Sequence, residues 1–224
     1  MMRLSRSIVG QQEAEALSEV ILKDGYLGMG NQVAIFEKEI ASFLNVPKEW
    51  VICVSSGTAA LQLGVQAVIE PRDEVLVQSL TFISSYQAIS ATGAKPISCE
   101  VKPENITIDL LDAKNRLTQK TRAIMPVHYA SNPGNLNEIY DFAQKHKLRV
   151  VEDAAHAFGC TYKEKRIGSF GDIVCFSFDG IKNITSGEGG AIVTKDSDVA
   201  KYIRDTRLLG VENDTEKRLA NERS

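Results

Sequence analysis

Net charge, paired cysteines, long apolar runs and internal repeats are all scarce or missing in this 224-residue sequence, and each absence removes a class of function. The 26 Lys+Arg nearly balance the 29 Asp+Glu, and a net charge of -3 gives no electrostatic case for binding nucleic acid or an anionic membrane surface. No stretch approaches the roughly 20 consecutive apolar residues of a membrane-spanning helix. Residues 1–17 carry Arg3 and Arg6, but no continuous apolar segment follows them, so they do not form a secretory signal. The cysteines Cys53, Cys99, Cys160 and Cys175 are far apart, form no C-x-x-C pair, and three of them fall in apolar strand-like runs. They read as free thiols in a reducing compartment, which points to a cytoplasmic protein. His128, His146 and His156 are not spaced with any cysteine pair in a zinc-ligand pattern, so no metal site is expected.

What is present is the pattern of an ordinary globular domain, with 43% hydrophobic and 25% charged residues. Residues 13–23 place Ala14, Ala16, Leu17, Val20 and Ile21 at helical spacing and close on Asp24-Gly25. A second amphipathic helix is expected over 33–44, with Val33, Phe36, Ile40, Phe43 and Leu44 on one face. From residue 51 short apolar runs alternate with helical segments. Strands are expected at 51–55, 74–78, 96–100, 122–127, 149–153, 173–178 and 191–194. Helices are expected at 59–69, 84–91, 110–117, 136–146 and 199–209. Continuous apolar runs imply strands covered on both faces. The expected fold is therefore α/β, a mainly parallel seven-stranded sheet with helices on both faces. After Gly210 the sequence is polar throughout, without an apolar face.

In open α/β sheets ligands lie beyond the carboxyl ends of the strands, so the residues following each strand matter most. Ser56-Gly57-Thr58 opens a helix, where backbone N–H groups either meet a phosphate or are satisfied by a plain serine cap. Phe82, after the second strand, either lies against a flat ring or packs into the core. Asp153 ends an apolar strand next to Glu152, and a buried carboxylate there needs a cationic partner, which a protonated ring nitrogen supplies. His156 offers a second polar contact from the following turn, or a structural hydrogen bond. Ser177 adds a hydroxyl at the same edge. Lys182 sits on a loop between two apolar runs beside Ser186-Gly187-Glu188-Gly189-Gly190. Such a lysine either captures a carbonyl as a Schiff base or is simply solvated.

Ser56-Gly57-Thr58, Glu152-Asp153-Ala154-Ala155-His156, and Ser177-Phe178 followed by Lys182 and Thr185-Ser186-Gly187-Glu188-Gly189-Gly190 together resemble the DegT/StrS sugar aminotransferases. The likeness begins at Asp24-Gly25-Tyr26-Leu27 and Phe36-Glu37 and extends over nearly the whole chain. It implies the fold-type-I large domain and pyridoxal 5′-phosphate (PLP) as cofactor. By this resemblance Lys182 carries PLP covalently and moves protons. Asp153 pairs with the pyridine nitrogen and keeps it protonated, so that the ring acts as an electron sink. His156 approaches the ring hydroxyl, Phe82 stacks on the ring, and Gly57, Thr58 and Ser177 hold the phosphate. The implied reaction passes an amino group, from a donor such as L-glutamate, to a keto group of a nucleotide-linked sugar. The implied assembly is a homodimer in which two subunits complete each site. Lys182 argues for amination, because histidine at that position marks the dehydratase branch.

Two features depart from the family's pattern. Relatives continue into a small C-terminal domain, so the sequence reads as the PLP-binding large domain, 1–224, with an N-terminal helical segment and the small domain absent. Gly180 stands where many relatives carry a bulky residue, and Ser131 where many carry glycine. The competing reading is a catalytically silent, PLP-binding or dimerising remnant of such an enzyme. A nicotinamide-binding oxidoreductase fits the sheet but lacks a G-x-G-x-x-G turn after the first strand.

Overall fold

Seven strands form the sheet around which the chain is built: β1 (Val51–Val54), β2 (Glu74–Gln78), β3 (Lys95–Cys99), β4 (Thr121–Met125), β5 (Arg149–Asp153), β8 (Ile173–Ser177) and β9 (Gly190–Thr194). Between β5 and β8 a short hairpin, β6 (Thr161–Tyr162) and β7 (Lys165–Arg166), stands apart as a separate two-stranded sheet. The computed structural model describes residues 7–25, 28–208 and 210. Tyr26 and Leu27 of the opening motif and the polar stretch 211–224 lie outside the described residues.

The strand order is β1-β9-β8-β5-β4-β2-β3. The pairs β2/β3, β2/β4, β4/β5 and β5/β8 are parallel, while β9 runs antiparallel to both β8 and β1. The sheet is thus mainly parallel as expected, with one reversed strand. The physical reason for the reversal is the connection: residues 178–189 return directly as a loop from β8 to β9, and without a crossover helix the next strand must come back antiparallel.

Both faces are covered. Along β8 the side chains alternate: Val174 and Phe176 join the cluster with Ile40, Leu44, Ile139 and Phe142, while Ile173 and Cys175 join the cluster with Leu61, Val65, Ile89 and Ile203. The first cluster brings in α2 (Asn31–Leu44) and α6 (Leu136–His146), and the second α3 (Gly57–Gln66), α4 (Ser84–Ala91) and α7 (Ser197–Thr206). The short helix α5 (Leu110–Asn115) contributes Ala113 to the first.

The helix expected at 59–69 begins two residues earlier because Ser56 caps it, its hydroxyl accepting from the Ala59 amide at 3.1 Å. The helix expected at 13–23 is α1 (Gln11–Glu19) ending in a π turn, Val20–Asp24. None of α1 is buried, and Leu17 and Ile21 are 64% and 58% exposed, so this apolar face is not packed against the described residues. The β6/β7 hairpin was not expected. Its turn residues, Lys163 and Glu164, hold positive φ without the Asn-Gly or Asp-Gly pair that normally announces such a turn.

Candidate active site

The strand ends after β1, β2, β4, β5 and β8 surround a cavity of about 500 Å³. Gly57, Thr58, Phe82, Asp153, His156, Ser177 and Lys182 all line it, so every residue singled out from the sequence is brought to one place.

Gly57 and Thr58 form the first turn of α3, whose hydrophobic face against β8 fixes its N-terminus at the cavity. A Cβ at Gly57 would fall 2.7 Å from the Ser177 Cβ and 2.9 Å from its Oγ. The position is therefore open to glycine alone unless Ser177 moves. Ser56 spends its hydroxyl on the helix cap, which leaves the other N-terminal amides and Ser177 to face the cavity.

Asp153 ends β5 and is 4% exposed. Its Oδ2 accepts from the Ser85 hydroxyl at 2.6 Å and its Oδ1 from the Ala155 amide at 3.2 Å. Ser85 lies in turn 2.7 Å from the Thr81 hydroxyl. Among the described residues no ion pair reaches Asp153. A carboxylate so deeply placed, with two hydrogen bonds and no ion pair among the described residues, is suited to a cationic group that enters the cavity.

His156 is half-buried, and its pKa lies below the ordinary 6.5. Burial is the main cause, the Lys182 charge adds to it, and Asp153 acts in the opposite sense. Its imidazole is therefore biased towards the neutral form. Phe82 is 71% exposed, not a core residue, and presents its ring at the cavity mouth. Lys182 is half-buried, on a loop tied down by its own amide to the Asp179 carbonyl at 3.0 Å.

Several lining residues carried no sequence signal that singled them out. Thr81, Tyr129, Asp179 and Glu188 belong to the cavity, and Ser85 supports Asp153 from α4 behind it. An Asx turn is the one readable hint: Asp179 Oδ2 accepts from the Ile181 amide at 3.3 Å, just before Lys182. Glu152, next to Asp153 in sequence, points to the other face of the sheet. There its Oε1 accepts from the Tyr140 hydroxyl at 2.5 Å, and its Oε2 lies 3.0 Å from His128 Nε2. Neither ring nitrogen of His128 makes a well-aligned hydrogen bond among the described residues, so this is a close approach rather than a directional bond.

No group of three or more His, Cys, Asp or Glu is placed to hold a metal among the described residues. Likewise no described helix is long and apolar enough to cross a membrane.

Comparison with known proteins agrees with this geometry. GDP-perosamine synthase of Escherichia coli O157:H7 is 41% identical over 191 residues, which is 85% of this chain and 52% of that protein. The crystal structure of AtS13 from Actinomadura melliaura superimposes with a TM-score of 0.90 at 32% identity, over 98% of this chain and 60% of that one. The PLP form of the putative sugar aminotransferase Spr1654 from Streptococcus pneumoniae gives a TM-score of 0.84 at 26% identity, covering 91% and 57%. The chain thus spans about half the length of the curated relatives it matches. The model of the DegT/DnrJ/EryC1/StrS aminotransferase family matches residues 8–223. On that match, with Lys182 and Asp153 lining one cavity, this chain belongs to the DegT/DnrJ/EryC1/StrS aminotransferase family.

Proposed function

We propose that residues 1–224 are the cofactor-binding large domain of an aminotransferase that passes an amino group to a keto group of a nucleotide-linked sugar. The family indicates PLP as the cofactor. The observation that carries the reading is Asp153, a buried carboxylate with hydrogen bonds from Ser85 and Ala155 and no ion pair among the described residues, in one cavity with Lys182.

The residues present fit PLP. Asp153 is suited to hold a proton on the pyridine nitrogen, and its two hydrogen bonds keep its carboxylate aimed. Gly57, Thr58 and Ser177 form a cradle with free amides and a hydroxyl for the phosphate, and any side chain on Gly57 would fill it. Phe82 offers an exposed ring to one face of the cofactor. His156, biased towards the neutral form, can share a hydrogen bond with the ring hydroxyl. Lys182 is the one amine lining the cavity among the described residues, and it would hold the cofactor and move protons at the substrate carbon. When bound, PLP supplies the electron sink that makes this proton transfer feasible.

An amino donor such as L-glutamate and a nucleotide-linked keto-sugar are the partners this reading requires. GDP-perosamine synthase is named for a product of that class. A homodimer is the assembly it implies, and the face of α1 and the π turn after it, with Leu17 and Ile21 exposed among the described residues, is a surface that a second copy would cover.

The test is an absorbance spectrum of the purified chain with PLP, before and after borohydride, beside Lys182→Ala. The expected result is a visible band and a reduced adduct on the peptide containing Lys182, both absent from the variant. A band without a Lys182 adduct would sink the assignment of Lys182. An adduct with no turnover on any keto-sugar nucleotide would favour the silent, cofactor-binding reading instead.

A further inference from the structure

Three loops meet at one main-chain atom beside the cavity, the carbonyl oxygen of His156. It accepts from the Ser131 hydroxyl and from Asn183 Nδ2, the latter at 3.2 Å. Ser131 belongs to the turn after β4, His156 to the turn after β5, and Asn183 directly follows Lys182 on the loop after β8. Asn183 Nδ2 also donates to the Phe158 carbonyl at 3.0 Å, so the amide spans both ends of the turn that presents His156.

The local backbone indicates that this junction is specified. Ala130 and Ser131 both lie in the left-handed region, at φ 50° and 69°, where glycine is the easy choice. A serine there accepts backbone strain while supplying a hydroxyl to the carbonyl it reaches. The turn itself is held at its root, where the His128 amide donates to the Asp153 carbonyl at 2.9 Å and the Ser131 amide to the His128 carbonyl at 3.1 Å. On the lysine side, the Lys182 amide is held by the Asp179 carbonyl at 3.0 Å. Lys182 is thus tied on its N-terminal side to its own loop and, through Asn183, on its C-terminal side to the His156 turn.

We propose that Ser131 and Asn183 are positioning residues that, by sharing the His156 carbonyl, set the separation between the Lys182 amine and the His156 imidazole across the cavity. Neither side chain touches the reacting atoms; they act on the two residues that do. The assignment rests on the reading of Lys182 and His156 as partners in one site, but it concerns the protein chain without cofactor and is tested there. The groups that bear on the imidazole are Lys182 and Asp153, together with burial in the turn.

The test is an NMR titration of the His156 imidazole in the cofactor-free chain. The sequence has three histidines, so His156→Gln assigns the signal. Lys182→Ala sets the scale, because it removes a nearby positive charge and moves the titration up. Asn183→Leu keeps much of the bulk, loses the donor and adds no charge of its own, and Ser131→Gly loses the hydroxyl while easing the backbone, so folding is preserved in at least the second. Each is expected to move the His156 titration up towards its ordinary value, by less than Lys182→Ala does, and the double variant further. A purely structural loss would lower the melting temperature without moving the titration. An unchanged His156 titration in both folded variants overturns the proposal. A failure of PLP to attach to Lys182 is read separately from the borohydride experiment and leaves this result standing.

Discussion

Gly57 and Ser177 come from distant parts of the sequence, yet a single methyl group at residue 57 would overlap the serine side chain. Gly57→Ala is expected to destabilise the chain by about 1–3 kcal/mol, the usual result of forcing an atom into a filled space. On the proposed reading it should also weaken PLP binding, because Ser177 must leave the cradle proposed for the phosphate; urea unfolding and a fluorescence titration would check the two effects. An unchanged urea midpoint would contradict the close approach. His156 gives a pH prediction of definite sign. Its folded-state pKa lies below the ordinary 6.5, so at pH values above 6.5 both folded and unfolded chains carry it neutral. As the pH falls below 6.5 the unfolded chain takes up a proton that the folded chain resists, and stability is lost down through the lowered folded value. His156→Gln should flatten the urea midpoint across that acid window in the cofactor-free protein, and an identical slope in the variant would refute the linkage.

Neighbouring residues on β5 serve different elements because a strand turns successive side chains to opposite faces. Asp153 faces the cavity and α4, whereas Glu152, 1% exposed, faces α6 and is met there by Tyr140. The Tyr140 hydroxyl donates to Glu152 Oε1 and accepts from the Asp172 amide at 2.8 Å, so it joins α6, β5 and the start of β8. Burial, followed by the Glu152 charge, pushes the Tyr140 pKa far up, which keeps this hydroxyl protonated as a donor. Tyr140→Phe leaves Glu152 and the Asp172 amide short of a partner and should cost about 1–3 kcal/mol in thermal or urea unfolding. A cost near zero would mean that water replaces the hydroxyl. The two acidic residues were both visible in sequence as a problem to be solved. Which one faced the cavity was settled by the pleat, and the partner for the other by where α6 packs.

Across the whole molecule, one buried ion pair ties the N-terminal helical unit to the end of α7. Arg207 Nη1 lies 2.6 Å from Glu37 Oε1 and donates to the Cys53 carbonyl at 2.9 Å, while Glu37 Oε1 also accepts from the Cys53 amide at 3.0 Å. The pair spans 170 residues of sequence and clamps α2 and α7 on the edge strand β1. Burial, with the Glu37 charge adding, pushes the Cys53 thiol up to about 12, so it stays protonated and unreactive. Arg207→Ala leaves the buried Glu37 without its partner and should cost about 3–5 kcal/mol, whereas the double change Glu37→Gln with Arg207→Met should cost clearly less. Equal losses in the two proteins, measured by urea unfolding, would show that the pair contributes through packing alone.

The alternation of apolar strands with amphipathic helices made the sheet legible, because strands covered on both faces must be apolar throughout. Lys182, Asp153 and the Ser56-Gly57-Thr58 turn could be read for the same kind of reason: each is a chemically costly or permissive residue at a strand end. Local chemistry along the sequence therefore determined the fold class and the main contents of the cavity. The reversed strand β9, the Ser85 support beneath Asp153, the Tyr140–Glu152 contact and the junction of Ser131 and Asn183 on His156 were decided by tertiary structure. Each joins residues well separated in the chain, or depends on a turn conformation that its side chains do not announce. Such contacts exist only once the strands have taken their order, since it is the sheet that brings their carboxyl ends together.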